Sequence, residues 1–599
     1  MCGKLVAGVA VALITAALGR AAAIERSSTS PIFTEAVRQT TPSSRARTHI
    51  FTADQAKRRI EAGGYANVSG LRKDPEGIWR GKATTRDGKP VDVIITSEGD
   101  LVADPTREPA SNPFKPGTPS SPSATSSPSP SPAPIASGPA LLLIDNTVQH
   151  QVIEGFGSAV TEWVDPITGT DQIGAMRPRV MDAIYNQVKL TTGHLDIGPY
   201  ENFNPVNYTT SNDDGDPFNF NWAAFNMVRS INQKSKVVDY AKPMGFNNFT
   251  IHGGMNTRWS DPWLNTIRSK RLHEAYLQEA AETVVAGNVY WRDNYGIVPL
   301  WHHLFNEPTS GNQEIYGATT REIIDLVKTT GARFRREGFA NTKFIVASEE
   351  TEEKSLATAK AILNDPRARR YVGAIGYHTY PYGSIYCDVP TILKTSGSGN
   401  PDPGRIAIRH QIRDLAKQYG LQVWMTEVSH SNANTFDTMR GRAIHIHDEL
   451  LYADAAAFWG MWEAYDVSSA DEDSIVLFDP REQTFRITGM GYAIGHYSRW
   501  INKGAVRVEG TSDQSLVQIS AFRDDGQGRL VLVVINNNTG NMPIDVSLKG
   551  IAFSGLVSGE QSSPAGYWSS LSPITPTTNS TFLATVPGLS VTTYSSKFK

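Results

Sequence analysis

Cysteine is nearly missing from this chain, with only Cys2 and Cys387 in 599 residues. Cys2 falls in an N-terminal stretch expected to be removed, so one thiol remains. That excludes an internal disulfide and a disulfide-stapled fold, and a lone Cys387 reads as inert rather than catalytic. An excess of either charge is missing too: 57 Lys and Arg against 60 Asp and Glu leave a net charge of −3. A polyanion such as nucleic acid, or an anionic membrane surface, would call for a basic excess, so neither is an expected partner. After the first 23 residues no apolar run is long enough to span a bilayer. The stretch before that, "MCGKLVAGVAVALITAALGRAAA", joins Lys4, an apolar run and small residues. This pattern is that of a cleavable signal peptide, residues 1–23, and implies a secreted or periplasmic protein.

What is present divides the chain. Residues 105–138 contain "PASNPFKPGTPSSPSATSSPSPSPAPIASG", in which proline recurs among Ser, Thr and Ala. Such a stretch buries no core and favours an extended spacer. Before it, residues 48–104 read as a small α+β module. Thr52 is placed to cap "ADQAKRRIEAGG", Gly63 and Gly64 end that helix, and two hairpin-like alternations follow. This module resembles PepSY-type domains; a plain structural or binding module is the other reading.

Beyond the spacer, strand-like runs alternate with amphipathic helical ones. Strand candidates are "VIEGFGSA", "TGHLDIGP", "NNFTIHGG", "GIVPLWHHLFNE", "TKFIVASEE", "YVGAIGYHTYP", "LQVWMTEVS" and "AAFWGMWEAYD". The helices between them align Leu272, Tyr276, Ala280 and Val284, then Ile323, Val327 and Phe334, then Ile408, Ile412, Leu415 and Tyr419 on single faces. Eight strands in alternation predict an α/β fold, a (β/α)₈ barrel over residues 153–496; a doubly wound sheet is the other arrangement that alternation allows. From 497 to 599 the helical pattern stops and short strands remain, predicting a β-sandwich. The strand over 139–152 has no helix after it and is expected to join that sandwich.

In a barrel, residues at the C-terminal strand ends share one open face. Glu307 closes the fourth strand candidate and Glu427 the seventh, so two carboxylates are expected in one mouth. A lone acid after a strand means little, but two of them can divide the cleavage of a glycosidic bond, one as proton donor and one ionised. Apolar walls and a negative neighbour predict a raised pKa for Glu307, and donors are needed to keep Glu427 ionised. A separation of about 5 Å would let Glu427 attack the anomeric carbon directly, with retention.

The motifs "FNEP" and "TEVS" resemble the acid and nucleophile motifs of the retaining clan of (β/α)₈ glycosidases. With "IEGFGSAVTEW" and "GMGYAIGHYSRWINKGAVRVEGT", the chain from about Leu141 to Lys599 resembles glycoside hydrolase family 30. That resemblance implies Glu307 as general acid/base and Glu427 as nucleophile. It also implies Asn306 on the sugar 2-hydroxyl, His378 and Tyr380 beside the nucleophile, and Trp462 flooring the sugar site. Two departures stand out. His194, in "HLDIG", occupies the place of the family's second-strand arginine, and "GGMNTRWSDPWLN" only partly follows the third-strand pattern. Trp259 and Trp263 there can stack on sugar or merely cover a loop.

Other features have plainer readings. His302 and His303 are adjacent on a strand and face opposite sides, so they cannot chelate together. His445 and His447 show no third ligand, and no metal or cofactor is expected. "GFG" at 155–157 reads as a tight turn at the start of the barrel rather than a nucleotide loop. Asn67, Asn207, Asn248, Asn537 and Asn579 begin glycosylation triplets. The expected protein is a monomeric, exported retaining β-glycoside hydrolase acting on a β-linked polysaccharide or glycoside, with no nucleic acid and no membrane span. Rival readings are a non-catalytic carbohydrate-binding relative and an adhesion protein.

Overall fold

The computed structural model describes residues 57, 60, 66–73, 79–85, 88–95, 101–104, 138–160, 173–196, 215–222, 237–253, 273–310, 317–380, 403–428, 435–467 and 474–599. The chain splits into two compact units, Met1–Ser131 and Pro132–Lys599. In the first, strands Ala66–Lys73, Trp79–Thr84, Pro90–Ile95 and Leu101–Asp104 form a consecutive antiparallel sheet. Ile60, Ala83, Val91 and Val93 make its small core. Thr52, Gly63, Gly64 and Leu272 lie outside the described residues, as do the signal stretch, Cys387, Trp259 and Trp263.

The second unit is a closed parallel barrel with a β-sandwich on its side. The barrel strands are β1 (Gly155–Ala159), β2 (Thr192–Asp196), β3 (Phe249–His252), β4 (Trp301–His303), β5 (Lys343–Ala347), β6 (Val372–His378), β7 (Gln422–Glu427) and β8 (Ala455–Asp466). Each pairs in parallel with the next, and β8 closes the ring by pairing with β1. Aromatic rings fill the interior: Trp424 stands 5.2 Å from both Trp301 and Trp459, and the Trp301 indole N–H donates to Glu154 at 3.1 Å. The segment "GFG" is not a turn. It lies within β1, and a Cβ on Gly157 would come within 1.8 Å of the Thr192 carbonyl oxygen. Glycine is needed there for strand-to-strand approach.

The longer helices are α1 (His273–Tyr295), α2 (Thr320–Arg336), α3 (Glu352–Asn364), α4 (Pro403–Tyr419), α5 (Phe436–Tyr452) and α6 (Gly489–Ser498). Thr319, Thr351, Thr435 and Thr488 cap α2, α3, α5 and α6, each accepting from the backbone N–H three residues on. Such caps satisfy donors that a helix start leaves open. Among the described residues no helix is long and apolar enough to cross a membrane.

Nine strands form the sandwich sheet, and Ala140–Val152 lies inside it, antiparallel to Val506–Ser512 and parallel to Met542–Lys549. Alternation fails in the strand Arg529–Asn536, because both faces are buried. Leu530, Leu532 and Val534 enter the sandwich core, whereas Val531, Val533 and Ile535 pack into the barrel's core. A strand covered on both sides reads as a continuous apolar run. Polar contacts complete that junction: Arg440 donates to Asn537 at 3.0 Å, and His496 meets Thr593 at 2.9 Å and Ser562 at 2.8 Å. Asn537 is thereby buried, which removes it as a surface glycosylation position.

Candidate active site

Strand β4 stops at His303, four residues short of Glu307, which sits in a turn with φ of 45°. The expectation that the strand itself ends on the acid is therefore corrected: a turn presents it. Ala347 and Ser348, at the end of β5, also have positive φ, at 76° and 45°. Non-glycine residues in this region are costly and gather where a fold holds a side chain in place. The two strained segments brace each other, since the Glu307 N–H donates to the Ser348 carbonyl at 2.9 Å. Glu349 extends the brace. Its buried carboxylate accepts from Thr309 N–H at 3.2 Å, Thr309 Oγ1 at 2.8 Å and Thr358 Oγ1 at 2.8 Å, and its carbonyl accepts from His378 N–H at 3.1 Å. One residue thus anchors the acid turn and the end of β6.

Glu307 is buried, and its carboxylate lies 3.0 Å from His378 Nδ1. Glu427, at the end of β7, lies 3.9 Å from the same nitrogen, and oxygens of the two carboxylates fall within 4.8 Å of each other. Tyr380 donates its hydroxyl to Glu427 Oε1 at 3.1 Å. Burial pushes the Glu427 carboxyl above its ordinary range; nearby His378 and the Tyr380 hydrogen bond pull it down, and Glu307 raises it further. Tyr380 and His378 are thus the groups that favour an ionised Glu427, as the sequence expectation required. An acid on a strand pattern carries no sign of how deeply its carboxyl will be desolvated.

Asn306 is half-buried beside Glu307, and Trp462 is half-buried on β8 with its ring 6.0 Å from Tyr465. His194 is not alone. Its ring lies 4.9 Å from His252, which lies 4.4 Å from His303, while Trp459 closes the group at 4.9 Å from His194. His302 points the other way, against Phe334 and Phe344. His445 and His447 diverge, one to Glu449 and the other to Ser520. Sequence reasoning missed His252, Ser348, Glu349 and Thr426. His252 had a signal: it stands in register with His303 on neighbouring strands and shares its inward side.

Such a mouth, with paired carboxylates bridged by an imidazole and a phenol on one of them, can transfer a proton and hold a nucleophile on opposite sides of one bond. Residues 504–594 match the family described as glycosyl hydrolase family 30 beta sandwich domain. Glucuronoxylanase XynC of Bacillus subtilis (strain 168) is 27% identical over 306 residues, which cover 48% of this chain and 59% of that protein. The chain spans about half the length of the curated relatives it matches. Among solved structures, the glycoside hydrolase family 30 subfamily 8 xylanase Xyn30A from Clostridium acetobutylicum aligns with a TM-score of 0.53 at 22% identity, over 76% of this chain and 99% of that one. The endo-beta1,6-glucanase BT3312 aligns with a TM-score of 0.56 at 16% identity, over 78% and 94%. At these identities the likeness is one of fold: a barrel with a β-sandwich beside it.

Proposed function

We propose that this chain is an exported, retaining β-glycoside hydrolase that cuts a β-linked polysaccharide internally. Glu307 serves as general acid/base and Glu427 as nucleophile. The observation that carries this reading is the meeting of two carboxylates, from the turn after β4 and the end of β7, within 4.8 Å. Retaining enzymes place their carboxyls about 5–5.5 Å apart, too close for a water between nucleophile and anomeric carbon, so the carboxylate itself attacks. Glu307 protonates the departing oxygen, and Glu427 forms the glycosyl–enzyme ester. The now ionised Glu307 then takes a proton from water as water displaces that ester. His378 and Tyr380 orient the pair, Asn306 bonds the 2-hydroxyl, Trp462 lines the sugar site, and His194 belongs to its surroundings.

A sandwich matching family 30, and relatives named for glucuronoxylan and xylan, favour xylan-type polymers, with β-1,6-glucan next. Residues 1–23 serve for export, and the first unit is a PepSY-type module that precedes the Pro- and Ser-rich segment. The test is reducing-sugar release from glucuronoxylan and β-1,6-glucan, with product anomer followed by proton NMR. Retention is expected, and Glu427→Gln should lose at least ~10³-fold in rate while folding normally. Near wild-type turnover in that variant would remove Glu427 as nucleophile.

A further inference from the structure

We propose that His194, His252 and His303 bind one borderline divalent transition-metal ion, zinc or a close neighbour of it, inside the barrel mouth. One ring nitrogen of each lies within 4.8 Å of the others, and the three residues come from adjacent strands β2, β3 and β4. Their ring centroids form a triangle of 4.9, 4.4 and 6.4 Å. Three imidazoles on one tetrahedral zinc, with Zn–N of about 2.0–2.1 Å, hold their centroids on the order of 5 Å apart. The planes lie 7°, 27° and 19° from parallel, so rotation about χ2 is what brings the lone pairs to one point.

Hydrogen-bond logic sets the tautomer of His303. The Tyr377 carbonyl can only accept, and Thr426 Oγ1 donates its single proton to it at 3.2 Å. Thr426 must then accept from Ser348 Oγ, 3.1 Å away, and Ser348 in turn accepts from His303 Nε2 at 2.6 Å. The proton of His303 is therefore on Nε2, and its Nδ1 keeps a lone pair that has no hydrogen-bond partner although the residue is 1% exposed. A neutral ring, oriented through its second nitrogen by a hydroxyl chain, is the usual form of a metal-ligating histidine. Gly376 belongs to the device, because a Cβ there would meet Ser348 Oγ at 2.1 Å. All-imidazole donors select zinc, cobalt, nickel or copper over calcium and magnesium. His194 and His252, 6% and 7% exposed, leave an approach from the mouth. The expectation of no metal, drawn from His445 and His447, did not consider this trio.

The test takes the full chain, stripped with a chelator and titrated with Co²⁺, and reads the visible absorption of tetrahedral cobalt, with zinc by elemental analysis of untreated protein. One equivalent is expected. His303→Ala should abolish it, and Ser348→Ala should weaken it roughly 10–100-fold. Glu427→Gln should leave the cobalt spectrum in place, because the ion is not held by the carboxylate pair. No stoichiometric uptake by folded protein overturns the site, as does uptake that survives His303→Ala or disappears with Glu427→Gln. If His303→Ala does not fold, Ser348→Ala decides: unchanged affinity there overturns the proposal.

Discussion

Glu427 sits under opposing demands. Its proposed role needs an ionised carboxylate, whereas burial favours the neutral acid. The folded-state pKa is raised, so the ionised form is penalised in the native state; that penalty is full above the folded pKa and gone below the unfolded value of about 4.3. Glu427→Gln should therefore raise the melting temperature at pH 7, with the gain shrinking towards pH 4. Tyr380→Phe removes the hydroxyl bonded to Glu427 Oε1 at 3.1 Å. A hydrogen bond to a charged group contributes about 1.5–3 kcal/mol, so kcat/KM should fall roughly 10–100-fold and its acid limb move to higher pH. An unmoved acid limb would show that this hydroxyl does not hold the carboxylate ionised.

At the scale of elements, the mouth depends on close backbone approaches. The first is at β1 and β2, where Gly157 lies against the Thr192 carbonyl. Gly157→Ala forces these strands apart and should cost about 3 kcal/mol in urea unfolding. Wild-type stability in this variant would mean that β1 can shift without loss. The second approach is the pair of strained turns after β4 and β5, tied by the bond from Glu307 N–H to Ser348 and by the Glu349 carboxylate. Strain of this kind persists only where surrounding contacts over-determine it. Here, that surrounding is the buried face of α3, which supplies Thr358.

For the whole molecule, barrel and sandwich share a core, and His496 is buried at their junction with its pKa pushed down to about 3. A histidine held neutral in the fold but free to protonate when unfolded contributes stability above about pH 6.5 that is lost as pH falls toward its folded pKa. His496→Gln should flatten the acid decline in stability by about 1.4 kcal/mol per pH unit across that window, read from urea unfolding at several pH values. Met1–Ser131 and Pro132–Lys599 are each a compact unit. Removing everything before Gly138 should therefore leave hydrolysis of soluble polymer unchanged, and a lost rate would tie the N-terminal module to catalysis.

By itself the sequence determined the alternation that makes a barrel and the two acids on the C-terminal side of strands four and seven. Both are local patterns of polarity, which survive without tertiary context. Tertiary structure alone decided that Glu307, Glu427, His378 and Tyr380 converge on one another. It also decided that the run Arg529–Asn536 is covered on both faces, that a strained turn rather than a strand presents Glu307, and that His194, His252 and His303 share one space. Each of these depends on distances between residues far apart in the chain, and no periodicity within a single segment encodes such a distance.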